Sequence, residues 1–436
     1  MLSSAAQAFA ATQSAAFATL SLDELDAELH RLVSAHEQSM DSESIVLYAG
    51  TNMMNPRARQ LLSSSLASRP NLGHPGDTYN RGMDNASAID VMCTELLKKL
   101  FNAAFVEHRV ASGSIANLYA FMATCSPGDQ IIALSDAAAG HITHHKAGAA
   151  GLYGLTTHDA AFDAERMDVD VVALRKQAHE IKPALIVVAG SMCLHPYSVR
   201  EIRAVADEVG AYVLYDAAHM GGLIAGGAFQ QPLAEGAHLM TGSTYKSFGG
   251  PASGMVLTND AMLAERLDAI AYPGLTANFD LGRTSAMCMA TMDQLEFGAA
   301  YAATCIENAK ALAQSLHEQE VDVFCTPSRG FTSSQHVALR AYNYGGGNAA
   351  AKMLEPANIL LSSIGLPGPD IPGEANGIRI GTQEVTRWGM DSKDMSTIAK
   401  FVARVLVQGE STDTVRRDVM AFRANFQTLR FVRNRR

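Results

Sequence analysis

Residues 211–250 read AYVLYDAAHMGGLIAGGAFQQPLAEGAHLMTGSTYKSFGG. The apolar run 212–215 is short and β-prone enough to be a buried strand. Asp216 stops it, and His219 follows three residues later. A second apolar stretch, 238–241, runs into Gly242, Ser243, Thr244, Tyr245 and Lys246. Two buried strands thus end in an acid and an amine. In a parallel α/β sheet ligands sit at the carboxyl ends of the strands, so both groups would face one crevice.

An acid and an amine so placed suit pyridoxal phosphate, which forms a Schiff base with a lysine and needs a carboxylate beside its pyridinium nitrogen. On spacing alone the pair also fits a surface lysine and a strand-end acid of any α/β protein. The flanking segments decide between the two. A strand near 105–111 leads into Ser112, Gly113, Ser114, Ile115, Ala116 and Asn117, small residues that open a helix. Backbone N–H groups at such a helix start point at an anion, which makes 112–114 a seat for a phosphate. Strand 130–134, helix 170–181, strand 184–189, helix 199–209 and strand 211–215 alternate as a parallel sheet requires.

Residues 283–318 read as a helix bridging to a smaller C-terminal α/β unit. That unit is expected to hold strand 335–341, helix 348–356, strand 359–363, strand 377–381 and helix 394–407. Its key stretch is Asn376, Gly377, Ile378, Arg379, Ile380, Gly381 and Thr382. A planar guanidinium on a strand can hold an α-carboxylate by two parallel hydrogen bonds. An arginine flanked by isoleucines also reads as a surface residue with a buried stem.

With 436 residues and 48% hydrophobic against 18% charged, the chain can bury a large core in two domains. A net charge of -10 argues against nucleic acid as a partner. Cys93, Cys125, Cys193, Cys288, Cys305 and Cys325 form no C-x-x-C pair and no zinc spacing, so they read as reduced thiols of a cytoplasmic protein. No run is apolar enough to suggest a membrane span. His141, His144 and His145 lack a carboxylate or fourth ligand at a telling spacing, so no metal is expected. The Ala-rich residues 1–20 read as a loose arm. Ser21, Leu22, Asp23 and Glu24 have the form of a capping box opening an amphipathic helix.

These motifs, in this order over residues 20–410, resemble the serine hydroxymethyltransferase family of fold-type-I pyridoxal phosphate enzymes. The resemblance implies a mostly parallel central sheet in a large domain (61–300), preceded by an N-terminal arm and helix (1–60) and followed by a smaller α/β domain (301–436). It implies Lys246 as the lysine bound to pyridoxal phosphate, Asp216 at the ring nitrogen, and His219 and Thr244 beside them. It puts His141 against the ring, Ser112, Gly113 and Ser114 at the phosphate, and Ser191 near the phenolic oxygen. Arg379 becomes the substrate-carboxylate anchor, and Gly50 and Tyr79 fall in stretches that line the substrate side. Close homodimers with shared active sites are implied as well.

The chain also departs from the family. A glutamate that handles protons and touches folate is replaced by Leu72, the tyrosine two residues before it by Pro70, and a further tyrosine by His74. A folate-contacting asparagine falls on Ile364, and the arginine usual after Pro251 is missing. The expected activity is therefore a folate-independent aldolase acting on a β-hydroxy amino acid, with α-methylserine, releasing formaldehyde, as the favoured substrate. A hydroxymethyltransferase or a threonine-type transaldolase is the alternative. The base for the β-hydroxyl is expected at His74 or His141, with His74 favoured by position.

Overall fold

Runs of aliphatic residues that alternate between two apolar environments build the centre of the protein. The computed structural model describes residues 3–326 and 328–434. In chain order the elements that matter are α1 (Ser4–Phe17), α2 (Leu22–Glu37), α3 (Asp84–Phe101), β1 (Phe105–Val110), α4 (Gly113–Thr124), β2 (Gln130–Ala133) and β3 (Thr156–Asp159). Next come α5 (Val171–Ile181), β4 (Leu185–Ala189), α6 (Val199–Val209), β5 (Tyr212–Asp216), β6 (Leu239–Ser243), β7 (Gly254–Thr258) and α7 (Leu281–Glu318). The C-terminal part adds β8 (His336–Arg340), α8 (Gly347–Leu354), β9 (Ser362–Ile364), β10 (Gly377–Gly381), α9 (Gln383–Arg387), α10 (Met395–Leu406) and α11 (Thr412–Arg423).

Seven strands form the large sheet in the order β1-β7-β6-β5-β4-β2-β3. The pairs β6 with β5, β5 with β4, β4 with β2 and β2 with β3 are parallel, and β7 alone runs against its neighbours. Both faces are covered. Along β4, Ile186 and Val188 join one buried cluster while Leu185 and Val187 join the other. In β5, Val213 and Tyr215 divide from Leu214 in the same way. Period-two projection with helices on both sides explains why these strands read as continuous apolar runs. Each fully buried aliphatic side chain there contributes about 1.5–3 kcal/mol.

A second, antiparallel sheet has the order β8-β10-β9. One face, with Val337, Leu339, Ile378 and Ile380, packs into its own core. Helix α7 ties the two cores together: Met287, Ala290 and Tyr301 lie in the first, Ala309, Leu312 and Leu316 in the second.

Two expectations need correction. Residues 4–17 are not a loose arm but helix α1, capped by Ser3, although none of its side chains is buried. Alanine's high helix propensity suffices there without an apolar stripe. The expected strand 359–363 is two pieces: Ile359–Leu360 pairs in parallel with Ile45–Val46, while Ser362–Ile364 pairs with β10. Helix α11 and strand β7 were not anticipated. The capping box is present, with Ser21 accepting from the Glu24 amide and Glu24 accepting from the Ser21 amide. Among the described residues, no helix is long and apolar enough to cross a membrane.

Candidate active site

Parallel neighbours end on the same edge of a sheet, and that is how Asp216 and Lys246 meet. Asp216, at the end of β5, is in register with Thr241 of β6, and Lys246 lies three residues past the end of β6. The Asp216 carboxylate is buried and accepts three hydrogen bonds: from the Ala218 amide to Oδ1, and from Asn117 Nδ2 and His144 Nε2 to Oδ2, each at 2.9 Å. Burial opposes its charge. The His144 imidazole, the nearby His141 and the Asn117 amide outweigh that and hold the carboxyl well below its ordinary range. Asn117 is fixed in turn by Thr241 Oγ1, which donates to its carbonyl at 2.7 Å.

The Lys246 amine is buried, with Nζ 3.1 Å from His219 Nε2. His219 Nδ1 lies 3.1 Å from the Ala49 carbonyl and must donate to it, which leaves Nε2 bare toward the amine. Burial, with the like charge of Arg379, lowers the Lys246 pKa to about 8 although Asp216 pulls the other way. The same burial, with Lys246 and Arg379 alongside, keeps His219 neutral. Below it His336 is held near pKa 3, mainly by burial.

Arg379 reaches the site from β10. Its neighbours Ile378 and Ile380 point into the core, so Arg379 points from the opposite face, which also carries Ser362 and Ile364 of β9. Nη1 donates to the Ser191 carbonyl at 2.6 Å and lies 3.3 Å from His219 Nε2, and Nη2 donates to Ser362 Oγ at 3.2 Å. Nε is buried with no hydrogen-bond partner. A fixed guanidinium with a spare buried donor is suited to an incoming carboxylate.

The start of α4 abuts the end of β6. A methyl group at Gly113 would lie 2.0 Å from Ser243 Oγ, so only glycine lets the helix N-terminus come this close to the strand. Ser112 caps the helix by accepting from the Ile115 amide. The first-turn N–H groups therefore open on the edge where Asp216 and Lys246 end. An acid for the ring nitrogen, an amine for the aldehyde and a helix start for the phosphate fit pyridoxal phosphate. His141 accepts from the Thr143 hydroxyl and amide through Nδ1 and is lowered to about 4, chiefly by burial. It lines a cavity of 590 Å³ with Asp136, Ile142, Leu366 and Asn376.

Not every expected residue joins this cluster. His74 sits on the hairpin formed by Gly73–His74 and Asp77–Thr78, with Nε2 3.0 Å from Asp268 and its ring edge-on to Tyr272. The buried Arg109 joins the same Asp268 at 2.6 Å, so that histidine is tied to Asp268 and not to the Lys246 cluster. Tyr79 is 81% exposed. Thr244 spends its hydroxyl on the Pro251 carbonyl, and Ser191 donates to the Gly140 carbonyl. Asn117, His144 and His336 are members that sequence reading did not assign. A signal for the first was its place at the end of the 112–117 motif, five residues past the cap. Among the described residues, no group of three or more His, Cys, Asp or Glu side chains is placed to hold a metal ion.

The sequence model of serine hydroxymethyltransferase matches residues 22–402. An alpha-methylserine aldolase of Variovorax paradoxus is 49% identical over 93% of this chain and 92% of its own. One from a Ralstonia species is 45% identical over 96% and 95%. A serine hydroxymethyltransferase of Methanothermobacter thermautotrophicus is 38% identical over 93% and 95%. Among solved structures, the L-threonine transaldolase of Pseudomonas fluorescens superposes with a TM-score of 0.85 at 25% identity, covering 98% of this chain and 96% of that one.

Proposed function

The chain belongs to the serine hydroxymethyltransferase family, and from that membership we propose that it is a pyridoxal phosphate-dependent aldolase cleaving or forming the Cα–Cβ bond of a β-hydroxy-α-amino acid. The favoured substrate is α-methylserine, giving alanine and formaldehyde, the reaction named for its relatives in Variovorax and Ralstonia. The observation that carries the chemistry is the meeting of a buried amine and a buried guanidinium on one imidazole: His219 Nε2 is 3.1 Å from Lys246 and 3.3 Å from Arg379.

Bound at Lys246, pyridoxal phosphate supplies the electron sink for the pair left on Cα when the bond to Cβ breaks. Arg379 takes the substrate carboxylate and fixes which bond at Cα can break. Asp216, kept ionised by His144 and Asn117, holds a proton on the cofactor ring nitrogen. The turn at 112–114 would receive the phosphate, and His141 would be the side chain nearest the ring. The β-hydroxyl proton goes to a neutral imidazole. His141 is the better candidate, because its ring borders the cavity while His74 Nε2 is engaged by Asp268. The proton goes to Nδ1, the nitrogen without a hydrogen, as the substrate hydroxyl takes the place of the Thr143 hydroxyl there.

Folate has no role in this reading. Leu72 offers no carboxylate, and Ile364 lies on the Arg379 face of the small sheet, packed with Met192, Leu194 and Leu366. The protein works as a homodimer with active sites shared across the subunit interface. Exposed Leu22, Leu29 and Val33 on α2 support a partner there. The reduced thiols fit the cytoplasm, and the domains divide at 60 and 300. A transaldolase is the second reading, favoured by the structural neighbour. Holoenzyme given α-methylserine, serine, threonine or phenylserine without folate should release aldehyde fastest from α-methylserine. Release that requires tetrahydrofolate, or occurs only when a second aldehyde is present, would replace the aldolase with one of its alternatives.

A further inference from the structure

Residues 47–51 run past the site and are held at nearly every step. The Leu47 carbonyl accepts from the Gly381 amide at 2.8 Å. Gln383 Nε2 donates to the carbonyls of Tyr48 and Thr51 at 3.0 and 2.9 Å, and Ala49 accepts from His219. Thr51 Oγ1 donates to the buried carboxyl of Glu384 at 3.0 Å. Every one of these anchors lies on β10, on α9 directly after it, or beside Lys246.

On this fixed backbone the Tyr48 side chain is 37% exposed, and its ring centre is 6.0 Å from the Arg379 guanidinium carbon. The ring folds back over Gly50. A methyl group added at residue 50 would meet Tyr48 Cζ at 2.6 Å and Oη at 2.7 Å. The phenol oxygen thus occupies the place into which a side chain at position 50 would project, beside an arginine whose Nε is unpartnered. A rigid aromatic with an accessible hydroxyl costs little entropy to use as a donor.

We propose that Tyr48 completes the substrate-carboxylate pocket, its hydroxyl donating to the carboxylate that Arg379 binds, and that residue 50 is glycine to leave the phenol room. This rests on the reading of Arg379 as the carboxylate anchor. Tyr48 is then a substrate-binding and specificity-determining residue that neither its sequence context nor a motif reveals.

The test uses holoenzyme and two measurements: alanine affinity, followed by titrating the visible absorption of the bound cofactor, and steady-state kinetics on α-methylserine. Alanine carries the carboxylate but no β-hydroxyl, so it isolates the proposed contact. Tyr48→Phe should weaken alanine binding about tenfold or more and raise KM by a similar factor, with kcat within about twofold. Gly50→Ala should reproduce that pattern by displacing the ring without touching its chemistry. Wild-type alanine affinity in Tyr48→Phe overturns the proposal, and a loss confined to kcat overturns it by moving the phenol to the β-hydroxyl. Arg379→Lys separates the two layers. If Arg379→Lys binds alanine normally, the anchor reading itself fails. If Arg379→Lys is weakened while Tyr48→Phe is not, only the role of Tyr48 fails.

Discussion

Lys246 should titrate far below an ordinary lysine, and the structure says by how much. Its amine is buried, and the bare Nε2 of His219 lies within hydrogen-bond distance of both it and Arg379. The two cations are therefore at most about 6 Å apart, and at an effective dielectric of about 20 they repel by at least about 3 kcal/mol. Burial is the larger cause, Arg379 adds to it, and Asp216 offsets part, leaving a pKa of about 8 in place of 10.5. That difference is about 3 kcal/mol of penalty on the ammonium form. At pH 7.5 about a quarter of the apo protein then carries the free amine, against about one part in a thousand for an unperturbed lysine. Attachment of pyridoxal phosphate requires the free amine. Its rate, followed by stopped-flow absorbance on apo protein between pH 6 and 10, should climb with pH, bend near 8 and flatten. Because the folded pKa lies below the unfolded one, Lys246 also destabilises the apo protein fully below pH 8, and that loss is recovered between pH 8 and about 10.5. A rate still rising tenfold per unit at pH 9.5 would refute the buried, cation-flanked amine.

Other perturbations follow from single contacts. A general base contributes about 10²- to 10⁴-fold, so His141→Ala should lose at least 100-fold in kcat while His74→Ala stays within about tenfold. The reverse order, read from steady-state kinetics on α-methylserine, would return the base to the hairpin. Asp216→Asn keeps the shape but replaces the anion that His144 and Asn117 hold. Losing one charge-assisted hydrogen bond of about 1.5–3 kcal/mol should weaken pyridoxal phosphate about tenfold to a hundredfold, measured by equilibrium dialysis. Ile186→Ala in the middle of β4, a site fully closed to solvent, should cost about 2–5 kcal/mol in urea unfolding of the apo protein without altering the cofactor's spectrum.

Much of the fold could be read because its decisive elements carry their signal locally. Strands β4 and β5 carry continuous apolar runs since helices cover both faces, and those runs stop at Gly190 and Asp216. Lys246, Asp216, Arg379 and the 112–117 turn sit in short, chemically distinctive stretches. What escaped depends on contacts far apart in sequence. Strand β7 is recognisable only from its antiparallel partners on either side, β6 and β1. The strand expected at 359–363 divides because Ile359 and Leu360 find Ile45 and Val46, more than three hundred residues away. His144 stands in the sequence only as one of three neighbouring histidines, and folding buries it against the Asp216 carboxylate 72 positions on. Tyr48 gave no sign at all, since only the folded chain lays it over Gly50 toward Arg379.

The covalent carrier of the reaction is where the account is most exposed. Borohydride reduction of the protein after incubation with pyridoxal phosphate, followed by peptide mass spectrometry, locates the attachment directly. The pyridoxyl group should appear on the peptide containing Lys246 and vanish in Lys246→Ala. Modification at another lysine, or a protein that stays unmodified and colourless, would contradict the account at its root.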